Sequence, residues 1–437
     1  GGSGAAMHMR EALLRARPPP LVWLQPLALF LAAACSNSVY LCFSSITEEA
    51  AAWQGVSPGA VDALASLGNV ATTVGCPMAA SATDRAGIAV AFALGALLTA
   101  AGCGLRVWSG FPEGFYLLAA GQFVAGVGCG FLNVLPAALA VRRFPPHRQG
   151  LVNAVGQVGS DLGAYGGPLL GGVFRSRPGN LMWLQLSASV ALLPTALLFW
   201  AGGGAGACGH NRGEAAAEAG RGPTDGLCAR TGAFFRAPGT CLLCAGATAS
   251  ITVLNTFPAA LEQVACAVPG LDVNVLSMIL ALCVLLGEAF TGPLADWLSV
   301  SSVLAGSVLL VAAGWLLCLL GWMALVPPAA AMAGWVLLAT FGLGTSSMLS
   351  YLAAAEAVPS LEGTAAASLH TCSSVTCVLA QLLTAFLLDG KACQVPQVRR
   401  LVLGWAVTGW LACAATLRAV PRLRAPGREG EAPWLPG

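Results

Sequence analysis

Twelve stretches of this chain are apolar over the roughly 20 residues a helix needs to cross a hydrocarbon layer about 30 Å thick. They lie near residues 22–44, 61–81, 88–106, 115–141, 150–173, 180–201, 240–261, 273–294, 301–325, 328–355, 363–388 and 401–418. Lipid offers no partner to a backbone amide, so each run must satisfy its own hydrogen bonds, and a helix does so within one segment. Composition agrees, because only 9% of the 437 residues are charged and 57% are hydrophobic, whereas a water-facing domain carries about a quarter charged. The chain is therefore expected to be an all-α membrane protein with twelve transmembrane helices.

The spans fall into two sets of six. Residues 1–20 form a tail, 21–201 a first bundle, 202–239 a linker, 240–418 a second bundle and 419–437 a second tail. The opening residues lack an initial Met and read as a fragment end or added tail. Residues 202–239 are rich in Gly, Ala and charge without apolar periodicity, which predicts a flexible connection. Fifteen of the 21 basic residues flank one side of the expected bundle and six the other. Basic residues are retained in the cytoplasm, so both termini are expected there.

Several function classes drop out. A net charge of +2 gives no footprint for nucleic acid. The 16 Cys residues lie mostly in apolar runs, and neither the Cys241/Cys244 pair nor the Cys372/Cys377 pair has partners at zinc-site spacing. No metal site or cofactor is expected, and no nucleophile or ligand cluster suggests an enzyme. The linker is too short and Gly-rich for a folded sensory domain.

The two sets repeat one another. Phe43 matches Phe257, Asp84 matches Asp296, Pro145 matches Pro359 and Gly150 matches Gly363, all at offsets of 212 to 214 residues. This places span 1 on span 7, span 2 on span 8 and span 5 on span 11, with the same direction through the bilayer. The halves are thus parallel repeats, and a solute would bind between them.

On this layout the motifs resemble the major facilitator superfamily. "GPLADWL" at 292–298 is similar to its loop signature after span 8, and "ASATDRAG" is the first-half counterpart, with Ala80 where Gly is usual. The resemblance implies a conformational role for Asp84, Arg85, Gly292 and Asp296, the Asp capping a helix or pairing with an Arg. "GAYGGPLLGG" is similar to the fifth-span motif of drug and amine antiporters, with Ala154 where an earlier Gly is usual. It implies packing or gating by Gly163, Gly167, Pro168, Gly171 and Gly172. "LLAAGQFVAGVGCG" resembles the fourth-span motif, but Gln122 replaces the Arg implicated in proton coupling. An amide cannot act as guanidinium does. Shorter likenesses run to choline and haem facilitators of the feline-leukaemia-virus-receptor type and to nodulin-like members.

Polar residues inside apolar runs tend to face the bundle interior and to serve function. Asp161 is the deepest carboxyl group in the chain and is expected to meet a cationic group, a proton or sodium. Glu288 lies nearer the cytoplasmic end, where it would gate or pair with Arg85 or another Arg. His370 and Gln157 occupy matching repeat positions. With spans 1, 4, 7 and 10 lining the cavity by resemblance, Asn37, Tyr40, Asn133, Asn255 and Tyr351 join the expected path. The implied function is secondary transport of a small organic solute by a monomer in the lipid bilayer, with or without a coupling proton or sodium. The alternatives are uncoupled facilitation of a cation such as choline, and a non-transporting receptor.

Overall fold

The computed structural model describes residues 20–109, 114–201, 226–256, 273–323, 325–358, 361–388 and 395–423. Helix occupies every expected position. The first half holds α1 (Pro20–Tyr40), the short α2 (Thr47–Gln54), α3 (Pro58–Arg85), α4 (Ile88–Trp108), α5 (Phe115–Arg143), α6 (Gln149–Val173) and α7 (Pro178–Ala201). After α8 (Leu227–Arg236) come α9 (Thr240–Thr256), α10 (Val273–Leu298), α11 (Val300–Trp322), α12 (328–357), α13 (Glu362–Leu388) and α14 (Val395–Leu423). Among the described residues, nine helices are long and apolar enough to cross a membrane. The remaining members, α3, α6 and α9, are shorter or less apolar, and α3 and α6 are rich in Gly and polar residues.

Local chemistry sets several ends. Ser57 accepts a hydrogen bond from the Ala60 amide at 3.3 Å with Pro58 in the first turn, so α3 starts with a capped, preset backbone. α2 stops where Gly55 turns left-handed at φ 65°. α12 contains a π-helical stretch, Leu338–Ser347, which widens the helix at mid-length.

Two readings of the sequence need correction. The linker is not wholly irregular. Residues 227–236 form α8, which buries Phe234 and Arg230 against the bundle, two adjacent aromatic residues supplying its apolar side. Residues 202–225 of the linker lie outside the described residues. The last span also runs past 418 to Leu423, absorbing the start of the expected tail.

Within the first half the closest neighbours are α4 with α5, α3 with α5 and α1 with α6. In the second half α9 packs on α14 and α11 on α12. The halves meet along two lines, α3 against α13 and α6 against α10. The C-terminal ends of α3, α5 and α10 and the N-terminal ends of α6 and α13 come together at one end of the bundle, beside Arg142 and Arg230. This is the arginine-rich end of the bundle.

Candidate functional site

At the arginine-rich end each half caps a helix of the other. The Asp84 carboxylate, at the end of α3, accepts from the Gly363 and Thr364 amides of α13 at 3.0 and 2.9 Å and from the Thr364 hydroxyl at 2.6 Å. Asp296, at the end of α10, accepts from the Gly150 and Leu151 amides of α6 at 2.6 and 2.8 Å. A carboxylate on the first amides of a helix satisfies orphan donors and meets the positive end of the dipole. Glycine is needed for the approach. A Cβ at Gly150 would strike the Gly292 carbonyl, and one at Gly363 would lie 2.7 Å from Asp84 Oδ1.

The two caps differ in charge balance. Asp84 also takes Arg142 Nη2 at 2.7 Å, and Arg142 reaches Glu362 at 3.0 Å and the Thr83 carbonyl. From α8, Arg230 reaches Asp84 at 3.4 Å and Ser81 at 2.9 Å. Asp296 has no such direct ion pair among the described residues. Arg85 sits exposed at the same end. Arg142, Glu362, Thr364 and Arg230 escaped the sequence reading, although the Gly150/Gly363 match pointed to the helix starts that the two Asp residues cap.

Further in, α6 carries two rows of residues. Gly159, Gly163, Gly167 and Gly171 face α1 and the turn after it. A Cβ on any of them would collide with the carbonyl groups of Phe30, Ala34, Ser38 and Cys42 in turn. Four-residue spacing on both segments keeps the register over the whole contact, and the Ser45 hydroxyl donates to the Pro168 carbonyl at 2.6 Å. The glycine motif therefore closes a seam inside the first half. Gly166 and Gly172 face open space.

Asn153, Gln157 and Asp161 form the second row. A helix advances about 100° per residue, so this row lies about 160° from the glycines and faces the second half. Asn153 Nδ2 donates to the Met348 carbonyl of α12 at 3.0 Å. Asp161 on α6 and Glu288 on the facing helix α10 are close enough for their charges to act on one another. Glu288 is thus two turns deeper than Asp296 and meets a carboxyl group rather than Arg85, which corrects the pairing expected from sequence. Glu288 is 1% exposed, its Oε2 has no hydrogen-bond partner, and neither has Gln157 Nε2.

Two clusters border this row. In the first half Asn37 Nδ2 donates to Asn133 Oδ1 at 3.1 Å, and the Ser160 hydroxyl donates to the same oxygen at 3.2 Å. In the second half Tyr351 stacks on His370 with ring centroids 4.3 Å apart, and its hydroxyl lies 3.3 Å from His370 Nδ1. Gln122 is not part of this group. Its Nε2 donates to the Val39 and Tyr40 carbonyls at 3.3 and 3.2 Å, tying down the end of α1. Tyr40 lies beside Gly68, and the Asn255 side chain falls outside the described residues. Another residue the sequence did not mark is Arg106, fully buried in α4, which donates to Gln185 Oε1 at 2.9 Å and sits over the Phe43 ring.

The model of the Major Facilitator Superfamily matches residues 27–381. The chain belongs to the major facilitator superfamily. It is accordingly a multi-pass membrane transporter rather than an enzyme. A comparison with the curated proteins finds no match. Among solved structures, the proton:xylose symporter XylE bound to 6-bromo-6-deoxy-D-glucose is 12% identical with a TM-score of 0.64, over 93% of this chain and 95% of that one. A bacterial homologue of the iron transporter ferroportin, in an outward-facing state, is 13% identical with a TM-score of 0.67, over 90% and 98%. The human organic anion transporter MFSD10 (TETRAN) is 14% identical with a TM-score of 0.66, over 91% and 100%. At these identities the likeness is one of fold.

Proposed function

We propose that this member of the superfamily is a secondary transporter that carries a small organic solute between its halves, 21–201 and 240–418, by alternating access, with the arginine-rich end cytoplasmic. The observation that carries the reading is the row Asn153, Gln157 and Asp161. It is polar, lies on the face that α6 turns to the other half, and with Glu288 leaves buried polar atoms unpaired where a solute could satisfy them. Among the described residues the only charged side chains at this depth are the two carboxyl groups, so the solute is neutral or cationic rather than anionic. Sugar, iron and organic anion transporters share the fold, so the site and not the fold must select the solute.

The test starts with purified protein in nanodiscs, screened by thermal shift against choline, other amines, amino acids, sugars and monocarboxylates. Solutes that stabilise the protein are then followed by counterflow in proteoliposomes. Wild type should exchange at least one neutral or cationic solute, and Gln157→Leu should lose that exchange while keeping its fold. Absence of counterflow for every hit, or full exchange by Gln157→Leu, would reject the assignment. Uncoupled facilitation is the second reading, favoured by Gln122, whose amide is spent on α1 carbonyls where the resemblance led one to expect a coupling Arg.

A further inference from the structure

Asn37, Asn133 and Cys129 close a ring of hydrogen bonds between α1 and α5. Asn37 Nδ2 donates to Asn133 Oδ1 at 3.1 Å, Asn133 Nδ2 donates to Cys129 Sγ at 3.4 Å, and the Cys129 thiol donates to Asn37 Oδ1 at 3.3 Å. Each member gives one of these bonds and takes one, so all three run in the same sense and each polarises the next. A fixed neighbour sets that sense. Asn37 Nδ2 also donates to the Ala33 carbonyl at 3.0 Å. Reversing the Asn37 amide would set its oxygen against the Ala33 oxygen, and reversing Asn133 would set its nitrogen against Asn37 Nδ2. The Ser160 hydroxyl of α6 adds a second donor to Asn133 Oδ1 at 3.2 Å.

A primary amide carries two N–H groups. Asn37 Nδ2 donates to two acceptors within the protein, whereas Asn133 Nδ2 donates only to the sulfur among the described residues. Asn37 and Cys129 are buried and Asn133 is partly exposed. α5 is flanked by α1, α3, α4 and α6 of its own half and by α12 and α13 of the other, so the open edge of Asn133 gives on the space between the halves.

We infer that the ring makes the second N–H of Asn133 a fixed donor toward the solute, with Cys129 as the positioning residue, so that the solute carries an oxygen acceptor there: a hydroxyl, ether or carbonyl. This solute class rests on the transport reading above and narrows it. Cys129 acts through Asn133, by holding the amide in one orientation. A donor committed in this way discriminates against an analogue that lacks the oxygen, because it is then left unpaired away from water. The thiol, which its apolar run marks as a small hydrophobe, is a polar member of the wall.

Two measurements on the full chain test this. In nanodiscs, the infrared spectrum of wild type minus that of Cys129→Ala isolates one S–H stretch, which should lie below the frequency of a free thiol. In proteoliposomes, counterflow is compared for pairs differing by one oxygen: choline with ethyltrimethylammonium, ethanolamine with ethylamine, and glucose with its deoxy analogues. Wild type should favour the oxygen-bearing member by about tenfold in half-saturating concentration, at a similar maximal rate. Cys129→Ala should bring that preference to about twofold or less, and Cys129→Ser, whose hydroxyl also donates and accepts, should restore most of it. Cys129→Val, of similar volume and without a donor, replaces the alanine variant if that is not monodisperse. A free-thiol band, an indifferent wild type, a preference that survives the loss of the thiol, or a serine variant that fails to restore it overturns the inference. Exchange without the preference rejects this inference alone, whereas absence of exchange for every solute rejects the transport reading and the solute class with it.

Discussion

Asp84 and Gly363 are hydrogen-bonded at 3.0 Å although 279 residues of chain separate them. The contact joins the end of α3 to the start of α13, and its counterpart joins Asp296 to Gly150 at 2.6 Å. The two contacts use matched positions of the sequence repeat, so a single local solution, a carboxylate on a glycine-started helix, closes the seam twice.

The two caps should nevertheless differ in strength. Asp84→Ala removes a cap and also takes a buried carboxylate away from Arg142, which keeps Glu362, and from Arg230, which keeps Ser81. A cost of about 3–5 kcal/mol is expected for breaking a largely buried ion pair. Asp296→Ala removes a cap alone, at about 1–2 kcal/mol. Unfolding in detergent by chemical denaturant would check the order, and equal losses would show that the arginines add nothing.

The glycine row predicts a sharp contrast along one helix. Gly163→Val drives a side chain into the Ala34 carbonyl and should cost at least the 1–3 kcal/mol or so of an overpacked core. Gly172→Val meets open space and should change stability by no more than about 0.5 kcal/mol. Thermal melts of the two variants decide the matter, since comparable losses would mean that the row is not read by α1.

Gln122→Arg restores the residue that the fourth-span resemblance leads one to expect. The pocket has two carbonyls and no carboxylate among its hydrogen-bond partners. A guanidinium there is a buried charge without a counterion, so stability should fall by several kcal/mol. Proteoliposomes carrying the variant should gain no dependence on a pH gradient. A coupled, stable variant would show that the position and not the surrounding network sets coupling.

Glu49 and Arg175 pair at 2.6 Å outside the spans, and the guanidinium holds the Glu49 carboxyl below its usual range. A depressed folded pKa means the pair stabilises the fold above the unfolded value, about 4.3. That contribution is lost as the pH falls through the lower folded value. Melting curves of Glu49→Gln should therefore run slightly below wild type at neutral pH and low salt, and merge with it in acid. Both side chains are partly exposed, so added salt should close the same gap. A difference that persists in acid would assign the effect to something other than the charge.

The sequence disclosed what periodicity and repetition encode. Twelve apolar runs gave the helices because length and hydropathy act within each segment, and the offset of Asp84 to Asp296 showed the two halves before any contact was known. It did not disclose which way α6 faces. Glycines and polar residues share a four-residue spacing on that helix, and only the partner helices reveal that one row meets α1 and the other meets α10. The position of Glu288 was misread for a related reason. Distance along the chain placed it near the helix end and its arginines, whereas the antiparallel approach of α10 to α6 sets it opposite Asp161. Arg106 was legible only as a flanking charge, since its burial depends on Gln185 of a different span.

The glycine contact between α1 and α6 has a mechanical consequence. Backbone wedged against backbone over four successive turns leaves neither helix free to roll or slide, so the two behave as one beam. Any tilt imposed on Asp161 must be felt by Asn37 on α1, which shares Asn133 with Ser160 of α6. Under the proposed transport reading, a solute reaching the first half would therefore meet a wall that moves as a plate and keeps its shape.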